Sequence, residues 1–361
     1  MAVPQFHRLT IRDVRPETAD SVSVAFDVPT ELRDAYRFRQ GQFLTLRETL
    51  DGEDVRRSYS VCVGVPEYES RGELRVAIKR VAGGRFSNWA NEALAPGRAI
   101  DVMTPDGRFF TELDPSRTRH YVGFAGGSGI TPMLSLIKTT LATEPHSTFT
   151  LIYGNRTVNA IMFLETLEEL KNTYIERLRL VHVLSDEPQE VDLLSGLLDA
   201  GRCAELMRTV LEAERIDEAF VCGPQPMMDA AEAALLEAGL PRERIHVERF
   251  GTPAAASAPP KPIAADSPAA KVVIVIDGKE RHLRVPFEGQ AILDAGLAAG
   301  ANLPYACKGG VCCTCRAKVL EGEVRMDKNY TLEPAEIAQG FVLTCQAHPV
   351  SERVVVSYDE R

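Results

Sequence analysis

Four of the eight cysteines of this 361-residue chain lie within nine positions, in the stretch "CKGGVCCTC" from Cys307 to Cys315. The opening "MAVPQFHRLTIRDV" lacks the apolar segment of a signal peptide, and no run approaches the roughly 18 apolar residues that would span a membrane. We therefore expect a cytoplasmic protein without a membrane partner. In a reducing cytosol, clustered thiols bind metal or catalyse more often than they form disulfides.

The spacing of these thiols predicts a [2Fe–2S] cluster. Three of them follow the pattern C-x4-C-x2-C, and a fourth lies far downstream in "VLTCQAHP", which is the plant-type ferredoxin spacing. Gly309 and Gly310 allow a tight loop around the cluster. Structural zinc sites favour paired C-x2-C knuckles or histidine ligands, and neither occurs here. The predicted ligands are Cys307, Cys312, Cys315 and Cys345, and Cys313 is interpreted as a small bystander residue.

The rest of the chain divides into three further segments. Residues 1–115 contain short alternating strands and Asp-Gly turns, which predict an antiparallel β-sheet or small β-barrel. Residues 116–250 alternate apolar strands with helical patterns, which predicts an α/β domain with a parallel sheet. Residues 251–270 are mostly Ala, Pro, Gly and Ser and indicate a linker. Residues 271–361 begin with a strand, an Asp-Gly turn, a second strand and an Ala-rich helix, so the cysteine segment belongs to an α+β domain.

The charge of the chain argues against one class of partner. The formal net charge is −10, which disfavours binding to a phosphate backbone. We expect no nucleic acid partner.

A glycine-rich turn in the second domain indicates a dinucleotide site. In "AGGSGITPM", Gly126, Gly127 and Gly129 follow a strand and precede a helix expected to begin near Pro132, so backbone N–H groups at the positive helix end can meet phosphates. The spacing departs from G-x-G-x-x-G, and such a turn is often only a turn. A later strand ends in "FVCGPQPMM" and places Cys222 and Gly223 at the carboxyl edge of the same sheet, where open α/β sheets bind ligands.

The first domain carries two motifs compatible with a flavin. In "RRSYS", Arg57 and Tyr59 are two positions apart on one strand, hence on one face, and offer a phosphate-binding guanidinium and a stacking ring. The alternative is an edge strand with an exposed Arg and Tyr. In "GGRFSNWA", Gly83, Gly84 and Ser87 lie at an apparent helix start that suits a second phosphate.

Taken together, these motifs resemble the ferredoxin–NADP reductase superfamily with a plant-type ferredoxin fused at the carboxyl end, over essentially the whole chain. That resemblance implies an FAD-binding β-barrel, an NAD(P)-binding α/β domain and a β-grasp ferredoxin domain. It implies that Arg57 binds the FAD phosphates, that Tyr59 stacks on the isoalloxazine and that Ser60 approaches its reactive nitrogen. The remaining implied contacts are Gly84 and Ser87 to the pyrophosphate, Gly127, Gly129 and Thr131 to the nicotinamide dinucleotide, Cys222 and Gly223 near the nicotinamide, and Glu248 and Phe250 closing the flavin site. Tyr59, Ser60, Cys222 and Glu248 are thereby the predicted catalytic residues.

The choice between NADPH and NADH depends on three residues. No acidic residue follows the strand in "LIYGNRT", and Arg156 there suits the 2′-phosphate of NADPH, with Ser185 as a second contact. Asp186 would repel that phosphate. We therefore expect NADPH, with NADH as the alternative.

The expected reaction is hydride transfer from NADPH to FAD, followed by single-electron transfer through the cluster to the oxygenase subunits of a multicomponent diiron complex. The resemblance is strongest to reductases whose oxygenase epoxidises the ring of an aromatic acyl-CoA. Two alternatives stay open at this point: a reductase for another oxygenase or acceptor, and a non-catalytic redox sensor that keeps the same folds.

Overall fold

The computed structural model of the chain describes residues 4–211, 215–250 and 268–360. These residues form two compact units: residues 7–55 with 59–249, and the described parts of 250–361 with those of 1–6 and 56–58. Most of the predicted linker, residues 251–267, lies outside the described residues, and its last two residues already belong to a strand. No helix in the described ranges is long and apolar enough to cross a membrane.

The first domain is a six-stranded antiparallel sheet. Its order is β4-β3-β6-β1-β2-β5, and residue Val61, just beyond β4, bridges to Val76 of β5, which joins the two edge strands. The Asp51–Gly52 turn has positive φ at both residues, as a tight hairpin requires. The elements are β1 Phe6–Thr18, β2 Ser21–Asp27, β3 Phe43–Leu50, β4 Glu53–Ser60, α1 Val65–Arg71, β5 Leu74–Lys79, α2 Arg85–Ala93 and β6 Ala99–Met103.

The second domain is a parallel five-stranded sheet of order β11-β10-β7-β8-β9. Two separate apolar clusters cover its faces, which explains why its strands are continuous apolar runs. The elements are β7 His120–Gly126, α3 Ile130–Thr143, β8 Thr148–Asn155, α4 Leu164–Thr173, β9 Leu178–Leu184, α5 Ala200–Thr209, β10 Glu218–Cys222, α6 Gln225–Glu237 and β11 Ile245–Glu248.

The carboxyl-terminal domain is a mixed five-stranded sheet of order β13-β12-β18-β14-β16 with a small two-stranded sheet, β15-β17. The predicted strand–turn–strand forms a hairpin around Asp277 and Gly278, both at positive φ. The elements are β12 Ala269–Ile276, β13 Lys279–Pro286, α7 Ile292–Ala298, β14 Arg316–Glu321, β15 Val324–Met326, α8 Pro334–Ala338, β16 Phe341–Leu343, β17 Ala347–Pro349 and β18 Arg353–Ser357. The three predicted fold classes are confirmed.

Candidate functional site

Strand β4 brings the predicted flavin contacts to the start of helix α2. The ring of Tyr59 lies 5.9 Å from the ring of Phe86, in the first turn of α2. Arg57, two positions earlier on the strand, donates from Nη1 to its neighbour's carbonyl, that of Arg56, at 2.6 Å. An aromatic ring and a helix end therefore lie together, and Arg57 lies two positions before that ring on the same strand.

The amino terminus of α2 suits an anion. The helix begins at Arg85, and no side chain of the described residues caps it. The N–H groups of its first turn therefore keep the partial positive charge that a pyrophosphate would meet. Ser87 is buried, and its Oγ accepts the Val81 N–H at 3.1 Å. This side chain therefore also stabilises the loop that precedes α2. A Cβ at Gly84 would lie 2.5 Å from that oxygen, which explains the glycine.

The turn after β7 places the predicted dinucleotide residues at one sheet edge. Gly127 has φ +50°, and its carbonyl accepts the Tyr153 hydroxyl at 2.9 Å. Helix α3 begins at Ile130, two residues earlier than the sequence predicts. Thr131 is buried and donates to the Ser128 carbonyl at 3.0 Å, so its hydroxyl stabilises the turn.

Close backbone packing joins this turn to the end of β10. A Cβ at Gly129 would lie 2.0 Å from the Cys222 carbonyl oxygen and 2.9 Å from the Gly223 nitrogen. A Cβ at Gly126 would lie 2.6 Å from the Pro224 ring. The glycines therefore permit the backbone after β7 to contact the backbone at the end of β10. This packing role is separate from any close approach to a nucleotide.

Three predicted catalytic residues meet at this edge. Cys222 ends β10, is fully buried and lies opposite Glu248 of β11 in the parallel register. Ser60, from β4 of the first domain, donates from Oγ to Glu248 Oε2 at 3.3 Å. Burial raises the pKa of Glu248 to about 8. Burial, followed by the negative charge of Glu248, raises the pKa of Cys222 well above its ordinary value. At neutral pH the edge therefore holds a protonated carboxyl and an uncharged thiol.

Three other predicted contact residues, Arg156, Ser185 and Phe250, lie outside this group. Arg156 follows β8 and is exposed, and its carbonyl accepts the Asp186 N–H at 2.8 Å, which places both residues at the same carboxyl edge. The Ser185 hydroxyl donates to Asp186 Oδ1 at 2.7 Å. Phe250 is 39% exposed at the end of a described range. Its predicted role at the flavin stays a prediction.

The four predicted cluster ligands form two thiol pairs. Cys307 interacts with Cys312, and Cys315 with Cys345, while Cys312 also lies close enough to Cys315 to raise its pKa. No group of three or more His, Cys, Asp or Glu in the described ranges is arranged for a single metal ion. Two pairs suit two irons with two thiolates each. The Cys312 thiol and then backbone N–H groups, Gly309 among them, lower the pKa of Cys307 to about 6, which favours the thiolate.

Two residues, Cys313 and Thr314, lie between the predicted ligands Cys312 and Cys315, and their side chains have different surroundings. Cys313 has φ +55°, and its Sγ lies 3.2 Å from the Thr331 hydroxyl, within the apolar cluster of the domain. Thr314 is fully buried, and its hydroxyl has no hydrogen-bond partner among the described residues. The Cys307 thiol and burial raise the pKa of Cys312 well above its ordinary value, and the nearby Thr314 hydroxyl opposes that rise. The sequence analysis missed Thr314, since a threonine between cysteines carries no distinctive signal.

Three family models match consecutive parts of the chain. Residues 9–111 match the oxidoreductase FAD-binding domain, residues 124–233 the oxidoreductase NAD-binding domain, and residues 274–350 the 2Fe-2S iron-sulfur cluster binding domain. The chain therefore has domains for FAD, for NAD(P) and for a [2Fe–2S] cluster, and the residues described above suit each of them.

Similar proteins span the same length. The chain is 47% identical to one of the subunits of 1,2-phenylacetyl-CoA epoxidase from Escherichia coli (strain K12), over 99% of this chain and 98% of that protein. It is 36% identical to the ferredoxin reductase component of 3-ketosteroid-9-alpha-monooxygenase from Rhodococcus rhodochrous, over 97% and 96%. The solved structure of phthalate dioxygenase reductase superposes with a TM-score of 0.59 at 23% identity, over 98% of both chains, and supports the fold.

Proposed function

We propose that this chain is a cytoplasmic reductase that delivers electrons from NADPH to the diiron oxygenase of a 1,2-phenylacetyl-CoA epoxidase. The chain belongs to the family of NAD(P)H-dependent FAD and [2Fe–2S] oxidoreductases that includes these oxygenase reductase components. The choice of oxygenase rests on the 47% identity over the whole chain to a protein of that enzyme complex. The observation that carries the redox assignment is the 3.3 Å contact of Ser60 with Glu248, because it joins the flavin strand to the nucleotide edge.

Hydride transfer requires the nicotinamide and the flavin to be in contact and shielded from water. Bound FAD supplies the conversion of one two-electron transfer into two one-electron transfers. The residues proposed to hold it are Arg57 and the start of α2 at the phosphates, with Tyr59 against the ring. Ser60, Cys222 and Glu248 line the place of transfer, where buried Cys222 limits the entry of water and protonated Glu248 can donate a hydrogen bond.

Cluster binding is assigned to the two thiol pairs, Cys307 with Cys312 and Cys315 with Cys345. Gly127, Gly129, Thr131 and Gly223 are assigned to the edge that receives the nucleotide. NADPH is favoured because Arg156, an exposed residue, follows β8 at this edge. The neighbouring carboxylate of Asp186 opposes that preference and keeps NADH as the alternative.

The test is a reconstituted epoxidation. The purified chain is mixed with the oxygenase subunits of a 1,2-phenylacetyl-CoA epoxidase, phenylacetyl-CoA and NADPH, and the consumption of acyl-CoA is compared with that of NADPH. We expect the consumption of phenylacetyl-CoA to match that of NADPH. In a parallel mixture with the oxygenase of a 3-ketosteroid monooxygenase and its steroid substrate, NADPH should be oxidised without matching consumption of the substrate. Coupling only to the second oxygenase would reassign the acceptor, and failure to reduce cytochrome c with either NADPH or NADH would make the chain a non-catalytic sensor.

A further inference from the structure

Gln346 connects the fourth predicted cluster ligand to the loop that carries the other three. It directly follows Cys345, and its side-chain Nε2 lies 2.8 Å from the Lys308 carbonyl oxygen, 3.0 Å from the Cys345 carbonyl oxygen and 3.7 Å from Cys345 Sγ. The amide has two hydrogens for three acceptors, so the sulfur shares one of them. One side chain thus contacts both halves of the site.

The contact with Lys308 reaches a second ligand through one peptide group. The carbonyl of Lys308 and the N–H of Gly309 belong to the same planar trans peptide, so they point in opposite directions. The Gly309 N–H donates to Cys307 Sγ at 3.3 Å. Gln346 therefore binds one end of a peptide whose other end points at a ligand thiol, and a hydrogen bond at the carbonyl strengthens the donor at the N–H.

This peptide needs external support. Lys308 has φ +50°, a conformation that costs a residue with a side chain of the order of 1 kcal/mol or more. Its ammonium group binds Asp294 at 2.7 Å, which fixes the side chain. Gln346 is the side chain that fixes its carbonyl, and a Cβ at Gly310 would lie only 3.4 Å from Gln346 Cγ, so the loop is packed against it.

We propose that Gln346 is a positioning residue that raises the reduction potential of the [2Fe–2S] cluster. The reduced cluster carries one more negative charge than the oxidised cluster, and N–H donors aimed at its sulfurs stabilise that charge. Gln346 acts directly on Cys345 and indirectly, through the peptide between Lys308 and Gly309, on Cys307. The proposal rests on the proposed ligand set and is independent of which oxygenase accepts the electrons.

The test uses the full-length holoprotein with three variants. Gln346→Leu keeps the volume and removes the donor, and Gln346→Glu keeps the shape but replaces the NH₂ group by an oxygen. Gln339→Leu is the matched control, since Gln339 is an exposed glutamine of the same domain. Iron content, the electron paramagnetic resonance spectrum and the midpoint potential are measured for each.

We expect both Gln346 variants to retain iron and to lower the ratio of reduced to oxidised cluster at fixed potential at least about tenfold, which corresponds to about 59 mV for a one-electron couple. Gln339→Leu should match the wild type. An unchanged potential in an iron-replete Gln346→Leu or Gln346→Glu variant would overturn the proposal, as would the same shift in Gln339→Leu. Loss of iron from both Gln346 variants would also overturn it, because the residue would then serve assembly. Loss of iron from Cys313→Ala would instead discredit the ligand set.

Discussion

The proposed cluster site and the proposed hydride-transfer site differ in how the chain assembles them. Three of the four proposed ligands lie within one nine-residue loop, in which Cys307 interacts with Cys312, and only Cys345 comes from a distant segment, where it interacts with Cys315. At the other site, Ser60 and Glu248 meet although they are 188 positions apart, and each comes from a different domain. A local loop tolerates changes elsewhere in the chain, whereas a site made of strand ends depends on the packing of two sheets.

The largest expected effect tests the local site. Cys345→Ala should abolish the cluster and the reduction of cytochrome c, because a [2Fe–2S] cluster needs four ligands. NADPH-dependent ferricyanide reduction should persist, since it needs only the flavin and nucleotide domains. Iron analysis beside both activities checks this, with Cys313→Ala as the control that keeps all three. If Cys345→Ala also lost ferricyanide reduction, the two sites would not be independent.

A second change should impair the flavin site and leave the cluster site intact. Arg57→Ala should release FAD, because the variant lacks the guanidinium proposed to bind its phosphates. The cluster absorbance should remain. Flavin released by denaturation and iron content are measured together, with Arg71→Ala, at an exposed position, as the control. Finding FMN in the wild-type protein would refute the assignment of a pyrophosphate site.

Packing between strand ends predicts a strong effect at Gly129. Gly129→Ala would place a methyl group 2.0 Å from the Cys222 carbonyl oxygen, although its backbone, with φ −62°, accepts alanine. We expect a loss of about 1–3 kcal/mol in the free energy of unfolding and at least about a tenfold fall in kcat/KM for NADPH. Gly201→Ala in helix α5, whose Cβ would meet Asp199 Oδ1 at an ordinary contact distance of 3.6 Å, should not destabilise the fold. Equal behaviour of the two variants would show that the turn adjusts freely.

A smaller effect concerns nucleotide choice. Arg156→Ala should raise the KM for NADPH about tenfold to a hundredfold, since a charge-assisted pair is worth roughly 1.5–3 kcal/mol, and should leave NADH nearly unchanged. Asp186→Asn should lower the KM for NADPH by removing a repelling charge. Steady-state kinetics with both nucleotides decide the matter. Equal losses with NADPH and NADH in Arg156→Ala would indicate a structural role.

The last effect, which comes from a single titrating group, is a pH dependence of stability. The pKa of Glu248 is about 8 in the folded protein against 4.5 ordinarily, so between these values the folded state holds a proton that the unfolded chain releases. The free energy of unfolding should therefore fall as pH rises from 4.5 to 8, by up to a few kcal/mol at about 1.36 kcal/mol per pH unit. Glu248→Gln should flatten this fall, as thermal melts at several pH values would reveal. The same flattening in Glu243→Gln, at an exposed position, would contradict the assignment to Glu248.

The sequence predicts the local site better than the distributed one for a physical reason. Spacing identifies the thiols, and the Asp-Gly pairs identify the hairpins, because turn geometry and loop ligation are set by neighbours in the chain. The approach of Gly129 to Cys222 depends on the order of parallel strands, which periodicity alone does not give. The contact of Gln346 with Lys308 depends on how the fold brings the segment after Cys345 back to the loop that contains Lys308. Neither contact has a sequence signature.

The order of electron transfer from NADPH through FAD to the cluster is tested most directly by anaerobic reduction of the holoprotein with NADPH, followed by stopped-flow absorbance and by electron paramagnetic resonance of frozen samples. We predict that flavin absorbance is lost first and that the signal of a reduced [2Fe–2S] cluster then appears. In Cys345→Ala, flavin reduction should proceed at the wild-type rate with no cluster signal. A cluster that stays oxidised while the flavin is fully reduced, or flavin reduction that slows when Cys345 is removed, would contradict this order of electron transfer.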